Sequence, residues 1–426
     1  MKALRSLRNF LETTVYVIAG MPIAVRGMLA EPKTPAEELQ RAFASVYWRP
    51  RSFRDGIALT VGLMLTPVAV PAVDLWFTMR NGPAIRSREG KGLVSQYTEQ
   101  LKLYVRAGIF GPWYYILSLH HDGARRAPTY LQRCVTKRGI YDLLRPHDGS
   151  PLSDKREFAE WCAHAGVRCV RCEALIDDST DGLPELPDAD LFVKPSRGSG
   201  GRGAERWDRV SGQLWSRGKR FLDREGLIRH LREKRRPFIV QKWLAPHRQL
   251  IPLTSGALPT ARLLTVMNEH GVPEIAAAVF RMSIGANRTV DNIHAGGLAC
   301  SVSLPTGTLG LASNLGADSR LGWTPYHPTT GARIEGTRLP LWNEVKQLAT
   351  QAHRAFSDRI MVGWDIGILD DGPIVIEGNS GPDMDLMQRF METGFCHEHR
   401  FAELLAHHLR AKAAVASLPA KPAVQV

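Results

Sequence analysis

The sequence predicts an α+β fold preceded by a mainly helical N-terminal region. Residues 1–130 show helical spacing without alternating strands, whereas helix and strand patterns alternate from Ser153 onwards. The later strands also come in pairs across tight turns, which favours antiparallel hairpins beside helices over βαβ units.

In the N-terminal region, Gly92–Ala107 sets Leu93, Tyr97, Leu101 and Tyr104 in one apolar helical stripe. Gly111-Pro112-Trp113-Tyr114-Tyr115 leads into the apolar stretch Ile116–Leu119, whose aromatics read as packing. Gly56–Val73 and Thr13–Val25 carry no charge. The first is flanked by Arg49, Arg51, Arg54 and Arg80, with Trp48 and Trp76 at its edges. Two readings stand for it: helices buried in a soluble domain, or a membrane-interface segment interrupted by Gly62, Pro67 and Pro71. No small-residue cleavage site follows a short apolar core near the start, so a cleaved signal peptide is not expected.

Further along, Ser153-Asp154 can cap a helix running through Ala165, and Gly166 can stop it. Val167–Cys172 and Leu191–Lys194 read as strands, and Lys219–Lys234 as a charged helix. Phe238–Trp243, Ala261–Met267 and Glu274–Phe280 read as strands, the last two joined by a Gly-Val-Pro turn. Trp342–Ser357 is a helix. Gly363–Leu369 and Pro373–Glu377 pair across Asp370-Asp371-Gly372, and Phe401–Ala414 closes the domain. The organisation is therefore 1–130 helical, basic and aromatic, 131–412 α+β, and 413–426 a tail with little to bury.

The 426 residues carry a formal charge of +13, which points to an anionic partner. Arginines are dispersed, with no basic tract, zinc finger or RNP motif, so no nucleic acid is expected. Of six cysteines, Cys169 and Cys172 form C-x-x-C without a second metal-ligand pair. On a strand their odd separation points them to opposite faces. Ordinary reduced cysteines of a cytoplasmic protein are the expectation, with attachment at the inner face of a membrane as the second reading for location.

Three elements carry chemistry. Phe192-Val193-Lys194-Pro195 delivers a lysine into Arg197-Gly198-Ser199-Gly200-Gly201-Arg202-Gly203. Glycines let backbone N–H groups approach phosphate, although a flexible connection has the same composition. The lysine precedes the glycines, so this is not a Walker A loop. Next, Gly363-Trp364-Asp365 and Ile376-Glu377-Gly378-Asn379 lie on one hairpin. Asp365, Glu377 and Asn379 are hard oxygen donors suited to Mg²⁺, set among apolar strand residues where an unpaired charge is costly. Last, Arg281, Arg288, Asn292 and His294 cluster around Asn287–Gly297, as donors for a phosphate or as structural groups.

In this order, with Asp154-Lys155 before them and Gln241-Lys242-Trp243-Leu244 between them, these motifs resemble the ATP-grasp superfamily. Asn292–Ser303 with Arg281 is similar to its alpha-L-glutamate ligase branch. The basic leader with Gly111–Tyr115 resembles the sugar-transfer associated ATP-grasp family. The resemblance implies two α+β lobes clamping ATP, with Lys155, Lys194, Ser199, Gly200 and Gly201 at the phosphates and Gln241–Leu244 at adenine. Asp365, Glu377 and Asn379 would hold Mg²⁺ or Mn²⁺, and Arg262, Arg281, Asn292 and His294 would serve the reacting groups. It further implies a carboxylate–amine ligase working through an acyl phosphate, with a small carboxylate and an amine or sugar acceptor, in polysaccharide or glycoconjugate synthesis. A carbohydrate kinase of the same fold and a non-catalytic scaffold of a membrane-associated assembly are the alternatives. One departure stands out: His247, Arg248 and Gln249 occupy the place where such ligases commonly put an acidic ribose ligand. Loops 207–219 and 313–337 are candidate walls for the acceptor pocket, with Tyr326 and His327 either lining it or lying on a surface loop.

Overall fold

The computed structural model describes residues 2–146, 149–177, 182–198, 200–315, 322–396 and 400–416. Ser199, part of loop 313–337 and the tail beyond Ala416 lie outside them. Four helices open the chain: α1 (Lys2–Leu29), α2 (Pro35–Tyr47), α3 (Phe53–Glu89) and α4 (Leu93–Ala107). Short helical turns follow between Trp113 and Leu143. Capping accounts for the boundaries. Thr34 and Glu37 form a reciprocal capping box at α2, and Gly90 and Gly108 end α3 and α4 in the left-handed region.

Helix α5 (Lys155–His164) starts at the predicted Asp154 cap, whose carboxylate accepts from the backbone of Arg156 and Glu157. The first lobe contains β1 (Ala174–Ile176), β2 (Leu191–Pro195), β3 (Glu205–Ser211), β4 (Leu214–Arg217), β5 (Arg220–Asp223), α6 (Arg224–Arg232) and β6 (Phe238–Lys242). Its sheet runs β1-β6-β2-β3-β4-β5 and is antiparallel throughout. Two expectations are corrected here. Lys219–Lys234 is not one helix, because Arg220–Asp223 pairs with β4 across a turn at Gly218 (φ 63°) and Asp223 then caps α6. Loop 207–219 is not a pocket wall. It forms the β3–β4 hairpin, and its Trp207 and Trp215 are fully buried in the lobe's own core.

The second lobe holds β7 (Thr260–Met267), β8 (Pro273–Met282), β9 (Leu298–Val302), β10 (Leu309–Ser313), α7 (Trp342–Ala355), β11 (Met361–Leu369), β12 (Gly372–Asn379), α8 (Met384–Met391) and α9 (Arg400–Ala416). The strand order is β10-β9-β8-β7-β11-β12. Alternation along the strands divides its residues between two cores. Leu263, Phe280, Trp364, Ile366 and Val375 pack with α5 and α7. Leu264, Val266, Ala277 and Val279 pack with α8, α9 and residues of α1 and α2. The N-terminal helices are thus a layer over this sheet, sharing its core. Val167–Cys172, predicted as a strand, reduces to one parallel bridge between Cys169 and Val375. The six cysteines are all free.

Buried polar groups join the layers. Arg389 on α8 donates to Asn314 O (2.9 Å) and Ser313 Oγ (2.6 Å), and also to Ile116 O. Gln388 exchanges two bonds with the backbone of Leu131 (2.8 and 3.0 Å). Removing the guanidinium strands several buried acceptors at once. Arg389→Ala is expected to lower the unfolding free energy by about 2–4 kcal/mol in urea titrations followed by circular dichroism.

Candidate active site

Between the two sheets lies a cleft of about 790 Å³. Its floor is a row of side chains across the second sheet. Backbone register sets Arg262 opposite Asp365, and Asp365 opposite Glu377. Arg281 sits one step diagonally away, opposite Thr260. Arg262 grips Asp365 with two bonds of 2.7 Å, and Arg281 reaches the same carboxylate at 3.1 Å. Burial opposes the charge on Asp365, yet Arg262 and then Arg281 hold its carboxyl well below the usual range. Arg281 also donates to Thr260 Oγ1 at 2.6 Å and lies 3.4 Å from buried Asp291.

The β11–β12 pairing carries a bulge that sequence alternation did not reveal. Asp365 faces Glu377 but Ile366 faces Val375, leaving Ile376 as the extra residue. Consequently neighbouring Ile376 and Glu377 both line the cleft. Ile376 joins Val170, Leu244 and Leu258 in an apolar cluster at one end of the floor, and Glu377 and Asn379 occupy the other. Asn379 Nδ2 faces Glu377 Oε1 at 3.4 Å and Gly363 O at 3.5 Å, which leaves its amide oxygen as a further acceptor. Two carboxylates and an amide oxygen fit a hard divalent cation. Asp365 is already committed to two guanidiniums, so Glu377 and Asn379 are the more available donors.

The roof comes from the first lobe and from the start of α5. Lys194 on β2 is buried. Lys155 opens α5, and its Nζ donates to Gly198 O at 2.8 Å. Gly198, Gly200, Gly201 and Gly203 all have φ between 67° and 125°, the conformation expected of a loop that turns N–H groups towards an anion. A Cβ on Gly201 would come within 2.9 Å of Val290, and one on Gly200 within 3.8 Å of Asn292. The glycine loop therefore closes against the Asn287–Gly297 loop of the opposite lobe. Gln241, Lys242, Trp243 and Leu244 line the apolar end, where the Arg206 guanidinium stacks 4.1 Å above the Trp243 ring.

The structure thus brings together Lys155, Lys194, Gly200, Gly201, Gln241, Lys242, Trp243, Leu244, Arg262, Arg281, Asn292, His294, Asp365, Glu377 and Asn379. Ser199 lies outside the described residues. His247 and Arg248 turn to the β11–β12 turn, with the Arg248 backbone N–H donating to Asp370 at 3.0 Å, and neither lines the cleft. Tyr326 and His327 do not line the cleft. His327 is buried, with Nε2 3.0 Å from Ser283 O. Sequence reasoning missed the far wall, formed by Arg8, Arg133, Lys137 and Asp383. Lys137 lies 3.0 Å and Arg133 3.3 Å from Asp383, with His294 at 3.8 Å. Arg133 and Lys137 are four residues apart, but Arg8 and Asp383 lie far from them along the chain, and no spacing signal links the three segments.

This clamp of two α+β lobes over lysines, a glycine loop and a carboxylate floor defines an ATP-grasp protein. The chain belongs to the sugar-transfer associated ATP-grasp family, whose profile matches residues 151–402, more than half its length. No curated protein matches it. Among solved structures it is similar to an L-amino acid ligase from Bacillus licheniformis, at 12% identity and TM-score 0.34, covering 61% of this chain and 48% of that one. It is also similar to a D-alanine–D-alanine ligase from Bacillus anthracis complexed with ATP, at 11% identity and TM-score 0.36, covering 62% and 67%. A third is the VanG D-Ala:D-Ser ligase from Enterococcus faecalis, at 10% identity and TM-score 0.35, covering 61% of each chain. The family profile carries the assignment, and membership supports ATP-dependent, ligase-like activity.

Burial pushes Lys194 down to about 8, with Glu377 partly opposing and Lys155 reinforcing the shift. Above that pH the amine is neutral in the free protein, and a phosphate beside it favours the charged form. Nucleotide binding at pH 9 should therefore take up a proton, and affinity should fall as pH rises from about 8 towards the ordinary lysine value near 10.4. Calorimetry in two buffers of different ionisation enthalpy measures the uptake, which Lys194→Met should abolish.

Proposed function

We infer that the protein is an ATP- and Mg²⁺-dependent carboxylate–amine ligase acting through an acyl phosphate, in the synthesis of a polysaccharide or glycoconjugate. The observation that carries this reading is the shared cleft, with a nucleotide-like end and a cationic end on either side of one carboxylate floor. Val170, Leu244, Leu258 and Ile376 offer apolar surface for a purine. Lys155, Lys194 and the glycine-loop backbone supply positive charge and donors for phosphates. A metal held by Glu377, Asn379 and the remaining lone pair of Asp365 would neutralise phosphoryl oxygens.

Arg281, Asn292 and His294 stand between that end and the wall of Arg8, Arg133 and Lys137. Fixed cations there orient an anionic substrate and shield its charge from the triphosphate. The chemistry needs no protein nucleophile, since the acyl phosphate forms on the substrate and an amine displaces the phosphate.

An ADP-release screen over amino acids and sugar acids, with mass spectrometry of the products, tests the reaction. ADP with free phosphate and an amide product supports ligation. A stable phosphosugar rejects it in favour of a kinase. Lys194→Ala and Glu377→Ala should each cut ADP release by about 100-fold or more. Lys137→Met should raise KM for the acidic substrate by roughly tenfold while moving kcat less, because it removes one charged contact to the bound anion.

A further inference from the structure

Helix α3 carries more large apolar side chains on its outer side than on its inner side. Its protein-facing side buries Ala58, Gly62, Thr66, Val70, Asp74 and Thr78 at four-residue spacing, small or polar residues except for Val70. The partner groups are polar too. Gln100 Nε2 donates to Thr78 Oγ1 at 2.7 Å, Gln96 Nε2 to Gly82 O at 3.2 Å, and Gly111 N to Asp74 Oδ1 at 3.0 Å. On α4, Gln96, Gln100, Leu103, Tyr104 and Ala107 are the buried residues, and the other members of the expected apolar stripe, Leu93, Tyr97 and Leu101, are half-buried, so polar groups interleave with it.

The outward side of α3 carries Ile57, Met64, Val68, Leu75, Trp76 and Met79, with Met64 75% and Val68 71% exposed. From Gly56 to Met79, roughly 36 Å of helix, the only charged residue is the buried Asp74. A surface helix in water turns its apolar side inward. Here hydrogen bonds make up part of the inner contact, Val70 and Ile85 the rest, and the broader apolar side faces out, which leaves its burial to something outside the described residues. Exposed Leu7, Leu11 and Val15 extend the surface along α1 at four-residue spacing.

We propose that α1 and α3 form a surface that docks in the plane of an anionic lipid leaflet. Charge selects this occupant. Arg51 and Arg54 precede the apolar face, and Arg80 and Arg86 follow it, on a chain of net +13. Such arginines gain from anionic headgroups, whereas two copies meeting on this face would bring equal charges together. Trp76, with the Arg80 guanidinium 5.2 Å from its ring, suits the headgroup level. By length and composition α3 is sufficient to cross a bilayer. Its inner side, however, packs against α4, which carries exposed Lys102 and Arg106, and drawing those charges into hydrocarbon is costly. The helix therefore lies flat. Arg8, adjacent to Leu7, lines the active-site cleft, so the docked protein opens its cleft beside the headgroups.

Flotation of the full chain with phosphatidylcholine vesicles, with and without phosphatidylglycerol, tests the proposal. The protein should float with the anionic vesicles and bind neutral ones about tenfold less or weaker still. Met64→Glu/Val68→Glu should abolish flotation while leaving nucleotide binding unchanged. Met79→Glu reads the same face if the double variant does not fold. Failure of the unaltered protein to bind anionic vesicles overturns the proposal. So does a dimer in sedimentation that these variants dissociate, without vesicle binding, because the face would then belong to a second copy.

Discussion

The buried carboxylate of Asp365, held by Arg262 and Arg281, is the constraint around which the active site is arranged. Its charge is kept in a low-dielectric position only because two guanidiniums from neighbouring strands meet it with short bonds. Those strands must be in register for the contact to exist. A one-residue slip of β11 would send Asp365 into the apolar core shared by α5 and α7. The same pairing sets Glu377 beside Asp365 on the floor, so correct strand pairing and assembly of the donor set are one event.

That floor lies on the sheet face that the N-terminal helices partly cover. Leu264 and Val266 continue the side of β7 that carries Arg262, and they pack in the core shared with α1, α2, α8 and α9. The boundary between covered and open sheet is where Arg133, Lys137 and Arg8 meet the cleft. The N-terminal region therefore contributes both packing and charge. Its outermost helix then presents an apolar face to its surroundings, which couples the proposed membrane contact to the wall of the proposed substrate site.

Asp383 shows how closely this wall is balanced. Burial opposes its ionisation, but the His294 ring, Lys137 and Arg133 hold its carboxyl well below the ordinary range. A carboxylate that stays charged fixes the two cations in place, and it limits the net positive field that a bound anion meets.

The sequence by itself determined the α+β order, most helix and strand positions, the glycine-rich loop and the hairpin bearing Asp365, Glu377 and Asn379. These are local signals: period, capping residues, glycines and turns within a few positions of one another. It also specified the uncharged Gly56–Val73 segment while leaving its environment open. Tertiary structure alone decided which residues share a wall. The bulge at Ile376 depends on two strands pairing, and no alternation pattern in β12 announces it. Arg8, the Arg133–Lys137 pair and Asp383 come from three distant segments and meet only because the N-terminal layer packs on the second sheet. That loop 207–219 folds as a hairpin with Trp207 and Trp215 buried, and that His327 is buried away from the cleft, was hidden for the same reason, since burial is a property of the packed molecule. Long-range contact is set by the mutual burial of distant apolar faces, and one sequence read locally does not record which faces meet.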